Sequence, residues 1–302
     1  MTVGYIGLGK MGKNMVVRLL ENNIEVAAWN RSSGPREEVE KAGAQTFSTV
    51  EALVAHLQSP KIIWLMLPAG QATDDLFQQV IPLLSVGDTV IDGANSFFKD
   101  TLTHAGQAKK RGISFIDVGV SGGPEGARHG ACLMIGGSKD DVKRIEPIVQ
   151  AIAAPNAWSH VGNVGAGHFV KMVHNGIEYG MMEAIGEGMA VLRTSPFEVN
   201  LEEVTRIYNT RSVIESRLIG WTHAAFLEDP NLSTISSQIA HSGEGEWTID
   251  AAHELGVSVP IIEKSFQVRV ESSSVDEGSP DAFRNKVVSA QRGQFGGHAV
   301  HK

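Results

Sequence analysis

From residue 2 to about residue 160, short runs of β-branched and apolar residues alternate with longer stretches of helical period. That alternation predicts a parallel sheet covered by helices on both faces. Strands are expected at 3–6, 25–29, 61–67, 89–92, 113–118 and 132–135, with helices at about 11–22, 35–42, 49–56, 72–80, 99–111 and 139–151. Beyond Gly162 the strand signals stop, and amphipathic stretches follow at about 166–193, 200–209, 211–227, 231–240, 245–255 and 258–272. Gly-Ser-Pro at 278–280 reads as punctuation, and 293–302 as an irregular tail. The fold class expected is α/β: a Rossmann-type, doubly wound N-terminal sheet with an extra strand or two at its far edge, then an all-α C-terminal domain. The domain limits that follow are 1–163, 164–292 and a tail at 293–302.

A chain of 302 residues with 42% apolar residues and 33 glycines fits two globular domains better than a disordered or fibrous class. The longest candidate apolar run, 62–67, has strand length and falls far short of the roughly 20 residues of a membrane span. With the first strand opening at Thr2-Val3, a signal peptide is not expected either. A net charge of −8 without any Lys/Arg-rich run argues against nucleic-acid or anionic-membrane partners. An anionic substrate therefore needs a locally positive site. The single cysteine, Cys132, agrees with a reducing, cytoplasmic compartment and is expected in the core. No metal site is expected.

The segment Gly7-Leu8-Gly9-Lys10-Met11-Gly12 follows the first strand and opens a helix, the context that a G-x-G-x-x-G dinucleotide fingerprint requires. Gly7 permits the tight turn, Gly9 the approach of a pyrophosphate, and Gly12 close helix packing. The second strand ends in Trp29-Asn30-Arg31-Ser32-Ser33, with no acid to take a ribose 2′-hydroxyl. Arg31 suits a 2′-phosphate there, a lean toward NADP, although a solvated turn explains it equally simply. Leu67-Pro68-Ala69 ends a further strand where backbone is expected to meet the cofactor.

On a helix over 166–193, about 100° per residue places Lys171, His174, Asn175 and Glu178 on one face. Phe169, Val170, Met172, Val173, Ile177 and Met181 take the other faces, so the helix is expected to be apolar nearly all round and buried. A buried stripe of Lys, His, Asn and Glu is costly unless paired or functional. A self-satisfied Lys–Glu pair beside a core histidine is the competing reading. Two strand-end segments complete the pattern. In 117–127, Ser121-Gly122-Gly123 can offer successive N–H groups and a hydroxyl to a carboxylate, and Asp92-Gly-Ala-Asn95-Ser96 puts Asn95 where nicotinamide and substrate meet.

These motifs, with Lys171-Met-Val-His-Asn-Gly-Ile-Glu-Tyr179 and Phe295-Gly-Gly-His298, resemble the 6-phosphogluconate dehydrogenases among the β-hydroxyacid dehydrogenases, over nearly the whole chain. Lys171 and Asn175, with the Ser-Gly-Gly loop, match the wider superfamily. His174, Glu178 and Tyr179 match the 6-phosphogluconate enzymes. The resemblance implies that Lys171 takes the C3 hydroxyl proton while hydride passes to NADP or NAD. Glu178 then protonates C1 after loss of CO₂, giving ribulose 5-phosphate. Burial shifts lysine and carboxylate pKa values in the direction these roles need. Asn95, Ser121, Gly122, Gly123, His174 and Asn175 then hold the carboxylate and hydroxyls, and Tyr179 the phosphate.

Where longer members carry a Lys-Gly-Thr run and a helix arginine for the phosphate, this chain reads Ser242-Gly243-Glu244 and aligns Glu215, leaving Arg211 or Arg217 to compensate. Arg292 and His298 match tail residues that in the family reach a partner subunit's site, which implies a homodimer or higher oligomer. The length resembles a short bacterial or archaeal form, which pulls toward NAD. Two other functions compete: oxidation of another 3-hydroxy acid, of 3-hydroxyisobutyrate or tartronate type, without decarboxylation, and a non-catalytic nicotinamide-sensing module.

Overall fold

The computed structural model describes residues 1–240, 243–297 and 300. They divide into two compact units, Met1–Met172 and Val173–Lys302, with the division inside a long helix rather than before it.

In the first unit the elements run β1 (Thr2–Ile6), α1 (Lys10–Glu21), β2 (Glu25–Trp29), α2 (Ser33–Lys41), β3 (Gln45–Thr46), α3 (Val50–His56), β4 (Ile62–Leu65), α4 (Gln71–Val80), β5 (Thr89–Asp92), α5 (Phe98–Lys110), β6 (Ser114–Ser121), α6 (Gly123–His129), β7 (Ala131–Gly136), α7 (Lys139–Arg144), α8 (Glu146–Ile152) and β8 (Ala153–Gly162). The sheet order is β3-β2-β1-β4-β5-β6-β7-β8. Its first six positions are the doubly wound order 3-2-1-4-5-6. All neighbours pair in parallel except β6 with β7.

Strand alternation explains the two cores. In β4, Trp64 packs on one face with Val3, Tyr5 and Met15 of α1, while Ile63 and Leu65 face Leu53, Phe77 and Val90 on the other. The expected helix at 139–151 is two helices, because Pro147 at the start of α8 disfavours helical backbone just before it. Cys132 is exposed rather than core: it alternates outward on β7 between buried Ala131 and Leu133.

The long helix α9 (Ala166–Thr194) begins in the first unit, and the second continues with α10 (Leu201–Tyr208), α11 (Arg217–Glu228), α12 (Glu244–Glu254), α13 (Pro260–Glu271) and α14 (Pro280–Gly296). Its core gathers Met189, Leu201, Phe226, Leu232 and Val287. Two expectations fail here. The stretch 231–240 is not helical, although Leu232, Ile235 and Ile239 fall at helical spacing. Instead the Asp229 carboxylate accepts from the backbone N–H of Asn231 and Thr234 and from the Ser233 and Thr234 hydroxyls, a local network that competes with helix. The helix expected over 211–227 likewise starts only at Arg217, after a Ser216 cap.

Candidate active site

The glycine loop supports the fingerprint residue by residue. Gly7 has φ +103°, and a Cβ there would lie 2.2 Å from the Met66 carbonyl. One at Gly12 would lie 2.0 Å from the Gly7 carbonyl. A Cβ at Gly9 meets nothing within 4 Å, so this glycine faces open space at the N-terminus of α1, which has no acid in its first turn. That is the space and polarity a pyrophosphate needs. Asn30 has a structural part as well: its Oδ1 accepts the Leu8 N–H at 2.9 Å and its Nδ2 donates to the Ser32 hydroxyl at 2.9 Å, clamping the glycine loop to the turn after β2. Arg31 is exposed beside it, as are Lys10 on α1 and Pro68 and Ala69 beyond β4, while Leu67 and Met11 are half-buried.

One face of β6 carries Asp117, Gly119 and Ser121 at every second position, and the first two support α9 and the loop before it. Asp117, fully buried, accepts the backbone N–H of Gly165 at 2.7 Å through Oδ1 and that of His168 at 2.9 Å through Oδ2. It thereby satisfies donors that a helix start leaves orphaned, and puts negative charge at the positive end of the dipole. At Gly119, a Cβ would come within 2.4 Å of the Lys171 Cβ, so the lysine stem lies on bare backbone. Lys171 itself is 9% exposed. Ser121 closes the strand, followed by Gly122 at φ +121° and Gly123 at φ +62°, conformations in which L side chains are strained. Such a glycine turn can present successive backbone N–H groups, as the expected carboxylate-binding loop requires. The Asn14 side chain ties α1 to the same loop by donating to the Pro124 carbonyl at 3.1 Å.

At β5 the buried Asp92 carboxylate accepts from the Ala94 N–H at 3.0 Å and the Ser96 hydroxyl at 2.9 Å. The turn so made leaves Asn95 half-buried between two buried neighbours.

Further along α9, His174 Nδ1 lies 3.1 Å from Asn175 Oδ1 and 3.7 Å from Glu178 Oε2. His174, Asn175 and Glu178 are half-buried, which suits groups that meet a ligand. Gly176 admits Thr248 of α12, whose side chain a Cβ would meet at 2.7 Å. Contrary to the expectation of a helix buried nearly all round, Ile177 is 53% exposed, Met181 44% and Val191 68%. They recur on one side of the helix at coiled-coil-like spacing.

Tyr179, 6% exposed, carries the Arg269 guanidinium of α13 on its ring, 3.4 Å from the centroid. Arg269 is nearly fully buried, its Nε has no hydrogen-bond partner among the described residues, and burial with the nearby charge of Arg292 lowers its pKa. Arg292 reaches this group from α14 of the same chain, where burial also lowers its pKa against the opposing pull of Tyr179, Glu244 and Glu178. Arg269 is the residue that sequence reasoning missed. The positions weighed in its stead are otherwise engaged: Glu215 accepts the backbone N–H of Arg211, and the Arg217 guanidinium lies 4.8 Å from the centre of the Trp221 ring. Ser242 and His298 lie outside the described residues. No cluster of potential metal ligands occurs among the described residues.

Residues 2–176 match the NAD binding domain of 6-phosphogluconate dehydrogenase, and residues 167–292 match the 6-phosphogluconate dehydrogenase C-terminal domain. A Haloferax volcanii protein named as an NAD(+)-dependent, decarboxylating 6-phosphogluconate dehydrogenase is 37% identical over 99% of this chain and 98% of its own length. A Bacillus subtilis protein named as the NADP(+)-dependent, decarboxylating enzyme is 36% identical over 91% of this chain, but only 62% of that longer protein is covered. Among solved structures, Plasmodium falciparum 6-phosphogluconate dehydrogenase aligns with a TM-score of 0.81 and 26% identity, over 96% of this chain and 70% of that one.

Proposed function

Because the chain belongs to the 6-phosphogluconate dehydrogenase family, we propose that it converts 6-phosphogluconate to ribulose 5-phosphate and CO₂ with NAD or NADP as the oxidant. The observation that carries the reading is the buried Arg269 stacked on Tyr179. A short 3-hydroxy acid without a phosphate has no use for a desolvated guanidinium from α13 lying on Tyr179, the residue after Glu178 on α9, whereas a phosphate repays its burial with charge-assisted hydrogen bonds.

The nicotinamide cofactor, held by the loop from Gly7 to Gly12, supplies the hydride acceptor. In this reading Lys171, positioned by Gly119 and by the Asp117 cap of its helix, accepts the C3 hydroxyl proton as the C3 hydride departs. The Gly122 and Gly123 backbone with the Ser121 hydroxyl holds the substrate carboxylate, and Asn95, His174 and Asn175 hold hydroxyls. After the C1–C2 bond breaks with release of CO₂, Lys171 returns its proton to the C3 oxygen. Glu178 then protonates the enediol carbon that was C2 of the substrate and becomes C1 of ribulose 5-phosphate. Arg31, standing where an acid would take the ribose 2′-hydroxyl, suits NADP, whereas the equally long Haloferax relative is named for NAD.

The test supplies 6-phosphogluconate with each cofactor and follows reduced nicotinamide and CO₂ together. Equal yields are expected, and Glu178→Gln should lower CO₂-coupled turnover by about 10²–10⁴-fold, the range for loss of a general acid. Reduction without CO₂ would transfer the chain to the simple 3-hydroxyacid dehydrogenases.

The exposed stripe Ile177, Met181 and Val191 on α9 also supports self-association, since repeated apolar positions on an outward helix face mark contact surfaces. A homodimer is the expected species in sedimentation at micromolar concentration, and a fully active monomer there removes it.

A further inference from the structure

One buried acid is left without a role by the reaction just described. Glu183 follows Tyr179 by one turn on α9, on the same helix face, and is 5% exposed. Its Oε1 lies 3.1 Å from Nε of Arg284 on α14. Neither carboxylate oxygen accepts a hydrogen bond of good geometry among the described residues. The charged groups around it come from three helices: Glu187 on α9 itself, Arg269 on α13, and Arg284 and Asp281 on α14. Arg284 is shared, for it also lies 3.4 Å from Asp281 and donates to the Asn285 side-chain oxygen at 3.1 Å. Burial, with Glu187 and Asp281, pushes the Glu183 carboxyl up to about 7, against the opposing pull of Arg284 and Arg269.

A half-buried and a buried arginine therefore share one buried acid: Arg284 by direct contact and Arg269 through its field, and Arg269 is the one that lies on Tyr179. We propose that Glu183 is a positioning residue for the phosphate end of the substrate, setting through Arg284 and Arg269 how much positive charge that end presents. The proposal rests on the reading of Tyr179 and Arg269 as phosphate ligands. Neutral Glu183 withdraws one negative charge from the pair, leaving Arg284 to Asp281 alone and Arg269 without its neighbouring acid on α9 one turn beyond Tyr179, which favours a phosphate dianion. Ionised Glu183 adds one negative charge beside both and lowers the positive potential there. Because the carboxyl titrates near neutrality, the sign is definite: capture of a phosphorylated substrate is strongest below pH 7 and weakens as pH rises through it.

The substrate's own phosphate titrates near pH 6 and acts in the opposite sense, so the measurement must cancel it. Steady-state KM for 6-phosphogluconate is taken from pH 6 to 8.5 for the wild type and Glu183→Gln, which share that ionisation. The ratio of wild-type to variant KM is expected to rise about three- to tenfold with a midpoint near 7, the effect of one charge on a dianion several ångströms away in a partly screened interior. The kcat ratio should stay level. A merely structural Glu183 would shift KM or stability evenly across pH, and a flat ratio in an enzyme that does release CO₂ overturns the proposal alone. Failure of the wild type to turn over 6-phosphogluconate overturns both readings. If Glu183→Gln does not fold, Glu183→Asp keeps the charge but withdraws it by one methylene. Its KM profile should then keep the pH dependence with a displaced midpoint, and an unmoved midpoint overturns the proposal.

Discussion

Replacing Lys171 by Met is expected to abolish measurable oxidation, lowering kcat by 10³-fold or more while leaving cofactor affinity within about twofold. The size follows from what is removed. A positioned general base is worth about 10²–10⁴ in rate, and here one amine serves twice, taking the C3 hydroxyl proton and later returning it. The variant should also fold. Met has nearly the volume of the lysine stem that lies over Gly119, so the packing against that bare backbone is kept. Equal melting temperatures with lost turnover would assign the effect to chemistry. Cofactor titration by nicotinamide fluorescence should be unchanged, because the loop from Gly7 to Gly12 is untouched. Retained oxidation above one tenth of the wild-type rate would remove Lys171 from the reaction and leave the chain as a nicotinamide-binding protein whose helix motif is incidental.

What could be read from sequence, and what could not, follows from how locally each feature is determined. The dinucleotide loop was legible because each glycine answers a separate steric demand close in sequence: a positive φ at Gly7, close approach to the Gly7 carbonyl at Gly12, open space at Gly9. The parallel strands were legible because burial on both faces makes them unbroken apolar runs. By contrast β8 contains Pro155, Asn156, Ser159 and His160, and its pairing is decided by the edge of β7, with shifts of register along the way. Helix α14 was hidden for the opposite reason. Its buried side is built from Asn285, Ser289, Gln291 and Arg292 as well as Val287 and Val288, so a search for apolar period 3.6 finds little. The stripe on α9 was legible as a helix face. Its partners were not: Asp117 and Gly119 support it from a strand some 50 residues earlier, and their every-second-residue spacing on β6 is a signal only once that strand is known to lie beside the helix. Arg269 belongs to the same class. Nothing in Gln267-Val268-Arg269 marks it, and a charged residue on an amphipathic helix usually faces solvent. Tertiary packing alone brings it over a tyrosine 90 positions away.

That packing sets the second large effect. Arg269→Met should raise KM for 6-phosphogluconate about 100-fold, with kcat reduced far less. A hydrogen bond to a charged group contributes about 1.5–3 kcal/mol, or roughly 10–150-fold, and a desolvated guanidinium meeting a phosphate lies at the upper end. Stability should change little, because two opposing terms are of similar size. Loss of the cation–π contact with Tyr179 costs about 1–2 kcal/mol, while burying a guanidinium that is only 3% exposed is itself unfavourable. Arg269→Lys should not rescue, since a compact ammonium cannot reproduce the planar stack on the Tyr179 ring. Inorganic phosphate separates a phosphate ligand from a general packing residue. It should compete with 6-phosphogluconate in the wild type and lose that competition in Arg269→Met. If phosphate still competes with its original inhibition constant, the substrate's phosphate is held elsewhere, and the acid at Glu244 ceases to be a puzzle about this corner of the fold. If competition is lost, Glu244 stands near Arg292 without repelling the substrate because two buried guanidinium groups outweigh one carboxylate. This chain would then hold its substrate without the lysine that its longer relatives are expected to use.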